Sequence, residues 1–89
     1  MYDATRDLEE SLRQFAESGD APGVMHTRLK LAAHALEVGN LDRARQHAEL
    51  ALEAALALGD HTAHLEAGLL LAGFAVERWQ YYFSRGALR

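Results

Sequence analysis

A chain of 89 residues has room for one small domain, taken here as 1–89. Such a domain buries only about 60–65% of the surface its unfolded form exposes, which argues against a large pocketed enzyme. Ala and Leu supply 32 residues, Ile is absent, and Val and Thr contribute three each, so a β-sandwich or barrel is excluded and an all-α fold expected. Cysteine is missing, which removes disulfides, thiolate metal sites and a cysteine nucleophile, and a net charge of −4 offers no general attraction to nucleic acid or anionic membrane.

The punctuation predicts four helices. The first runs from about Asp3 to Ser18, with Ala4, Leu8, Leu12 and Phe15 in one stripe of a 3.6-residue period. Gly19 supplies a left-handed stop, and Pro22 suits the opening turn of a second helix over Pro22–Val38, ended by Gly39. Asn40 caps a third helix that continues to Leu58, with Leu41, Ala44, Ala48, Ala51, Leu52 and Ala55 inward and Asp42, Arg43, Gln46, Glu49 and Glu53 outward. Gly59 ends it, and Asp60 caps a fourth helix reaching about Ser84. The expected core comprises Leu8, Leu12, Phe15, Leu31, Ala32, Ala35, Ala44, Ala51, Leu52, Leu71, Ala72 and Ala75. The apolar run Ala67–Val76 is far short of the ~20 residues that span a bilayer, and the N-terminus lacks the order of a signal peptide. Cytoplasmic residence is therefore expected, and eight Arg against one Lys in an Ala-rich chain hints at a GC-rich bacterial genome.

Shifted by forty residues, the chain partly overlays itself. Gly19-Asp20 falls on Gly59-Asp60, Leu31-Ala32 on Leu71-Ala72, Ala35 on Ala75, Leu36 on Val76, and Leu12 on Leu52. The matches sit at apolar and turn positions, where a structural repeat keeps its character. Gly39-Asn40-Leu41, preceded by Leu31-Ala32 and followed by Ala44 and Ala51, resembles a tetratricopeptide repeat, in which glycine marks the turn and small residues allow close helix approach. The resemblance covers about residues 25–58. Leu58-Gly59-Asp60 is similar to the join of the longer, roughly forty-residue variant. Arg28, Ala35, Ala48 and Leu56 depart from the family's preferences. The resemblance implies antiparallel helical hairpins forming a protein-binding scaffold, a superhelix fragment without catalysis. By the repeat register, the concave helices of such a scaffold offer His26, Lys30 and Ala33, then Glu66, Leu70 and Gly73. Only Lys30 suits a peptide carboxylate, so the family's carboxylate grip is not carried over.

Chemical candidates are sparse. His61 and His64 share a helix face, but two histidines without further ligands predict no zinc or iron site, and solvated surface histidines are the simpler reading. Asp7, Glu9, Glu10 and Glu17 give the first helix an acidic face that is either a solvated surface or a lure for a basic partner. Glu49 and Glu53 lie a turn apart with no pocket to perturb them, and no nucleophile elbow or phosphate loop occurs. No catalytic residue, cofactor or metal is therefore expected. The competing reading is a helix-turn-helix regulator, with Arg43, Arg45 and His47 opening a would-be recognition helix. Against it stand the acidic balance and that helix's eighteen residues.

The partner expected is a second copy, with another protein or peptide as the alternative, and neither nucleic acid nor membrane. Thr27, Lys30 and His34 on the second helix map to Ala67, Leu70 and Phe74 on the fourth, so the second helix should have a wet outer face and the fourth an apolar one. Trp79 replaces Gly39 in the register, so the fourth helix should run on, carrying Trp79, Tyr81, Tyr82 and Phe83. Left open, this is a patch that soluble monomers avoid, and a twofold dimer covers it. The expected interface is Leu69, Leu70, Gly73, Phe74, Val76, Trp79, Tyr82 and Phe83. A fold-back of the C-terminal half, or cover by a different protein, remains open.

Overall fold

A computed structural model describes the backbone of residues 4–84 and the side chains of residues 4–73. It contains four helices: α1 (Ala4–Ser18), α2 (Ala21–Glu37), α3 (Leu41–Leu58) and α4 (His61–Ser84). The protein is all-α, its helices packed in succession as adjacent pairs, with α2 also touching α4. The Cα atoms span 54 × 37 × 15 Å, and 15 Å accommodates two helix layers at the usual spacing of about 8–10 Å. Each helix consequently keeps an open side.

The three joints are built alike. Gly19, Gly39 and Gly59 have φ of 75°, 83° and 70°, the left-handed region that side chains with a Cβ rarely enter. Each glycine N–H donates to the carbonyl three residues back (Ala16, Leu36, Leu56), and the following Asp20, Asn40 or Asp60 N–H donates to the carbonyl five back (Phe15, Ala35, Ala55). Those bonds satisfy carbonyls the ending helix leaves free. The same Asp or Asn then opens the next helix, its Oδ1 accepting from the N–H of Gly23 (2.9 Å), Arg43 (3.3 Å) or Ala63 (3.0 Å). One Gly-Asx pair thus ends a helix and begins another. Asp20 plays the same part as Asn40 and Asp60, a role the sequence reading assigned only to the latter two.

The centre of the packing is small. Met25, Leu29, Ala51, Ala55, Ala63 and Ala67 form a buried cluster from α2, α3 and α4, with Leu52, Ala54 and Leu70 packed around it. Ala44 and Ala48 are also fully buried on α3. Alanine methyls here let helix backbones approach closely, so contact is made along whole helix faces.

Several expected core positions are corrected. Phe15 is 37% exposed: its ring lies over Gly23, where an added Cβ would meet ring atoms at 2.6 and 2.7 Å. It therefore touches α2 with one side and leaves the other open. Leu41, expected inward, is 45% exposed because it occupies the first residue of α3, at the hairpin corner. Ala72 is exposed, and Leu8, Leu12, Leu52 and Leu71 are only half-buried. Leu31, Ala32, Ala35, Ala44 and Ala51 are buried as expected, while Ala75 lies outside the residues whose side chains are described. Thr27, expected on a wet face, is buried. Its hydroxyl donates to the Gly23 carbonyl at 2.8 Å, which removes the cost of hiding a polar group. α4 does run on past the register position of Gly39, to Ser84.

Candidate functional site

A groove of about 720 Å³ lies between α2 and α4. Its lining follows the forty-residue register: His26 with Glu66, Leu29 with Leu69, Lys30 with Leu70 and Ala33 with Gly73, with Leu36 beyond them. All six positions that the repeat register assigned to the concave side are among them. Leu29 and Leu36 were missed, although they lie at i−4 and i+3 from Ala33, on the same helix face. α2 and α4 touch directly, and both start from equivalent Gly-Asx joints, which lets residues forty apart line one hollow.

The groove is apolar along its length and polar at its lip. Leu29, Ala33, Leu36, Leu70 and Gly73 supply carbon or bare backbone, while Lys30 and His26 stand exposed on the α2 wall and Glu66 stands exposed on the α4 wall. Leu69 is 72% exposed, and Leu65, one turn earlier on α4, is 68% exposed. They make an open ridge beside the groove. Of the expected interface residues, Leu69 is exposed while Leu70 and Gly73 are half-buried groove lining. Phe74, Val76, Trp79, Tyr82 and Phe83 lie outside the residues whose side chains are described.

A second, small hollow of about 120 Å³ lies where α1, α2 and α3 meet, lined in part by Thr5, His34, Arg43 and His47. Arg43 donates to Glu9 across α3 and α1 at 2.7 Å. The Nδ1 of His47 is shut off from solvent without a hydrogen-bond partner. Burial, then the nearby Arg28 and Arg43 guanidiniums, push the His47 pKa below its ordinary value, with Glu9 opposing in part. This seam concentrates positive charge in an otherwise acidic chain, a feature no sequence spacing signalled.

The remaining candidates sit in ordinary surroundings. Glu10 pairs with Arg13 and accepts from Gln14, and those hydrogen bonds hold its carboxyl below the usual carboxylate range. Arg13 also reaches Glu17 at 3.6 Å, so much of the acidic face of α1 is already engaged. Glu49 and Glu53 are exposed, His61 is exposed and His64 half-buried. Among the described residues no group of three or more His, Asp or Glu side chains gathers closely enough to hold a metal. Arg45 lies 3.9 Å from Asp42, so both arginines opening α3 face carboxylates. No described helix is long and apolar enough to cross a membrane.

By class, then, the protein is an all-α assembly of four consecutively packed helices with one groove between α2 and α4. Comparison with family models, curated proteins and solved structures gives no match.

Proposed function

We propose that this chain is a non-catalytic protein–protein interaction module, built as a tetratricopeptide-like pair of helical hairpins, whose binding surface is the α2–α4 groove. The observation that carries the reading is the agreement between register and groove: four pairs of residues forty apart in the sequence line one largely apolar hollow. A repeat that spaces two equivalent helices around a cleft builds a surface for a segment of protein. A volume of about 720 Å³ with carbon lining and a few charged groups at its rim fits a helix or an extended peptide laid along it. The helix-turn-helix alternative gains no support from Arg43 and Arg45, whose charges are turned toward Glu9 and Asp42.

The test is a peptide-display selection against the dilute, monomeric chain, followed by binding measurements on variants. Peptides recovered on the wild type should lose at least roughly 10-fold in affinity on Ala33→Glu, which places a charge in the groove lining. They should bind unchanged to Glu53→Lys, on the open face of α3. Binders indifferent to Ala33→Glu would remove the groove from consideration.

A further inference from the structure

Resting on the reading of the groove as an interaction surface, we infer that its occupant is a second copy of this chain. Each copy seats the Leu65–Leu69 ridge of its α4 in the other's groove, about a twofold axis parallel to the helices.

The ridge and the groove are neighbours on one face. Leu69 lines the groove yet stays 72% exposed, and Leu65 continues the same stripe at 68%. Two leucines this open, a turn apart and bordering an apolar hollow, make a knob beside a hole. A surface carrying both is self-complementary: one twofold operation puts each knob in the other copy's hole and closes the assembly at two.

Charge selects the direction of the axis. His26 and Lys30 stand on the α2 wall, and Glu66, the counterpart of His26 in the forty-residue register, stands on the α4 wall. A twofold parallel to the helices preserves height and exchanges sides. The α4 of the second copy then arrives beside α2, with its Glu66 next to His26 and one turn from Lys30, and the reciprocal pair forms by symmetry. A twofold across the helices would instead lay α2 on α2 and α4 on α4, bringing Lys30 toward Lys30 and Glu66 toward Glu66. The parallel axis makes opposite charges meet twice, and like-charge contact disfavours the other.

Sedimentation equilibrium of the full chain from 1 to 100 μM tests this. The wild type should show a monomer–dimer equilibrium, and Leu69→Glu should be monomeric throughout while keeping its helical circular dichroism. Lys30→Glu and Glu66→Lys, both on exposed side chains, should each weaken the dimer by roughly 10-fold. Mixing those two single variants should restore association, because each supplies the charge the other lacks; an effect confined within one chain would not be rescued by mixing. A wild type monomeric at 100 μM, or a dimer indifferent to Leu69→Glu and to the charge reversals, overturns the inference. A monomer that still selects peptides sensitive to Ala33→Glu overturns the second copy and leaves the interaction module standing; a monomer whose peptides are indifferent to Ala33→Glu removes both.

Discussion

α1 and α4 flank the α2–α3 hairpin, and different physics holds each in place. α4 contributes Ala63 and Ala67, 1% and 0% exposed, to the central cluster, and α2 and α3 both pack against it. α1 buries no residue completely. It rests on α2 through half-buried Leu8 and Leu12 and the Phe15 ring over Gly23, and it reaches α3 through the Glu9–Arg43 pair. A methyl in a tight seam commits two backbones to each other, whereas large side chains on an open edge can leave without disturbing what lies beneath. α4 therefore belongs to the cooperative unit, and α1 is an attached strip that opens at lower free energy.

The largest effect that probes this contrast is expected from Met25→Ala. Met25 is fully buried among residues of α2, α3 and α4, and truncating it should cost about 2–5 kcal/mol in urea unfolding. Leu12→Ala, on half-buried ground under α1, should cost less; an equal or greater loss would break the comparison. Next come the joints. Asp60→Ala and Asp20→Ala each remove a capping carboxylate and should cost about 0.5–2 kcal/mol by thermal melting. Hydrogen exchange after Asp20→Ala should report release of the α1–α2 joint, while Asp60→Ala should affect α3 and α4. Smaller again is Glu9→Gln, which loses an ion pair between half-exposed groups worth about 0.2–1 kcal/mol. Its signature is faster amide exchange in α1 with α3 and α4 unchanged; acceleration spread over all four helices would contradict the attached-strip picture.

The last expectation is a pH slope, directional only, in the seam that α1 closes. Burial and the Arg28 and Arg43 charges depress the folded-state pKa of His47 below 6.5. As pH falls, the unfolded chain takes up this proton first, so stability present at neutral pH declines below about 6.5 until the folded-state pKa is passed. Thermal melts between pH 7.5 and 5 should fall more steeply for the wild type than for His47→Leu. Parallel slopes would sink the assignment.

The helix boundaries were legible because Gly-Asx pairs every twenty residues write both the stop and the start of a helix into two letters. Asp20 was readable by the same rule, since Gly19-Asp20 repeats Gly59-Asp60. The groove was legible through the register, which converts a sequence interval into facing positions. Depth of burial was not. Thr27 reads as polar, yet its hydroxyl satisfies itself on its own helix and disappears from the surface. Phe15 reads as core, yet glycine at position 23 lets its ring lie against a backbone at an open edge. The importance of Ala63 and Ala67 over Ala72 depended on which side of α4 meets α2 and α3, and a helix that is apolar nearly all round gives no moment to indicate it. The His47 seam joins residues from three helices, and no interval in the sequence brings them together.

The joints also bear on how quickly the chain finds its shape. Each is closed by hydrogen bonds between residues at most five apart, as from the Asp20 amide to the Phe15 carbonyl in the first, and every packed helix pair is next or next-but-one along the chain. Little loop entropy has to be spent before a hairpin gains its first contacts. Folding in roughly microseconds to milliseconds is the expected regime for such local topology. With Gly39 and Asn40 at its bend, the α2–α3 hairpin can form first and provide the surface on which α4, and then α1, condense.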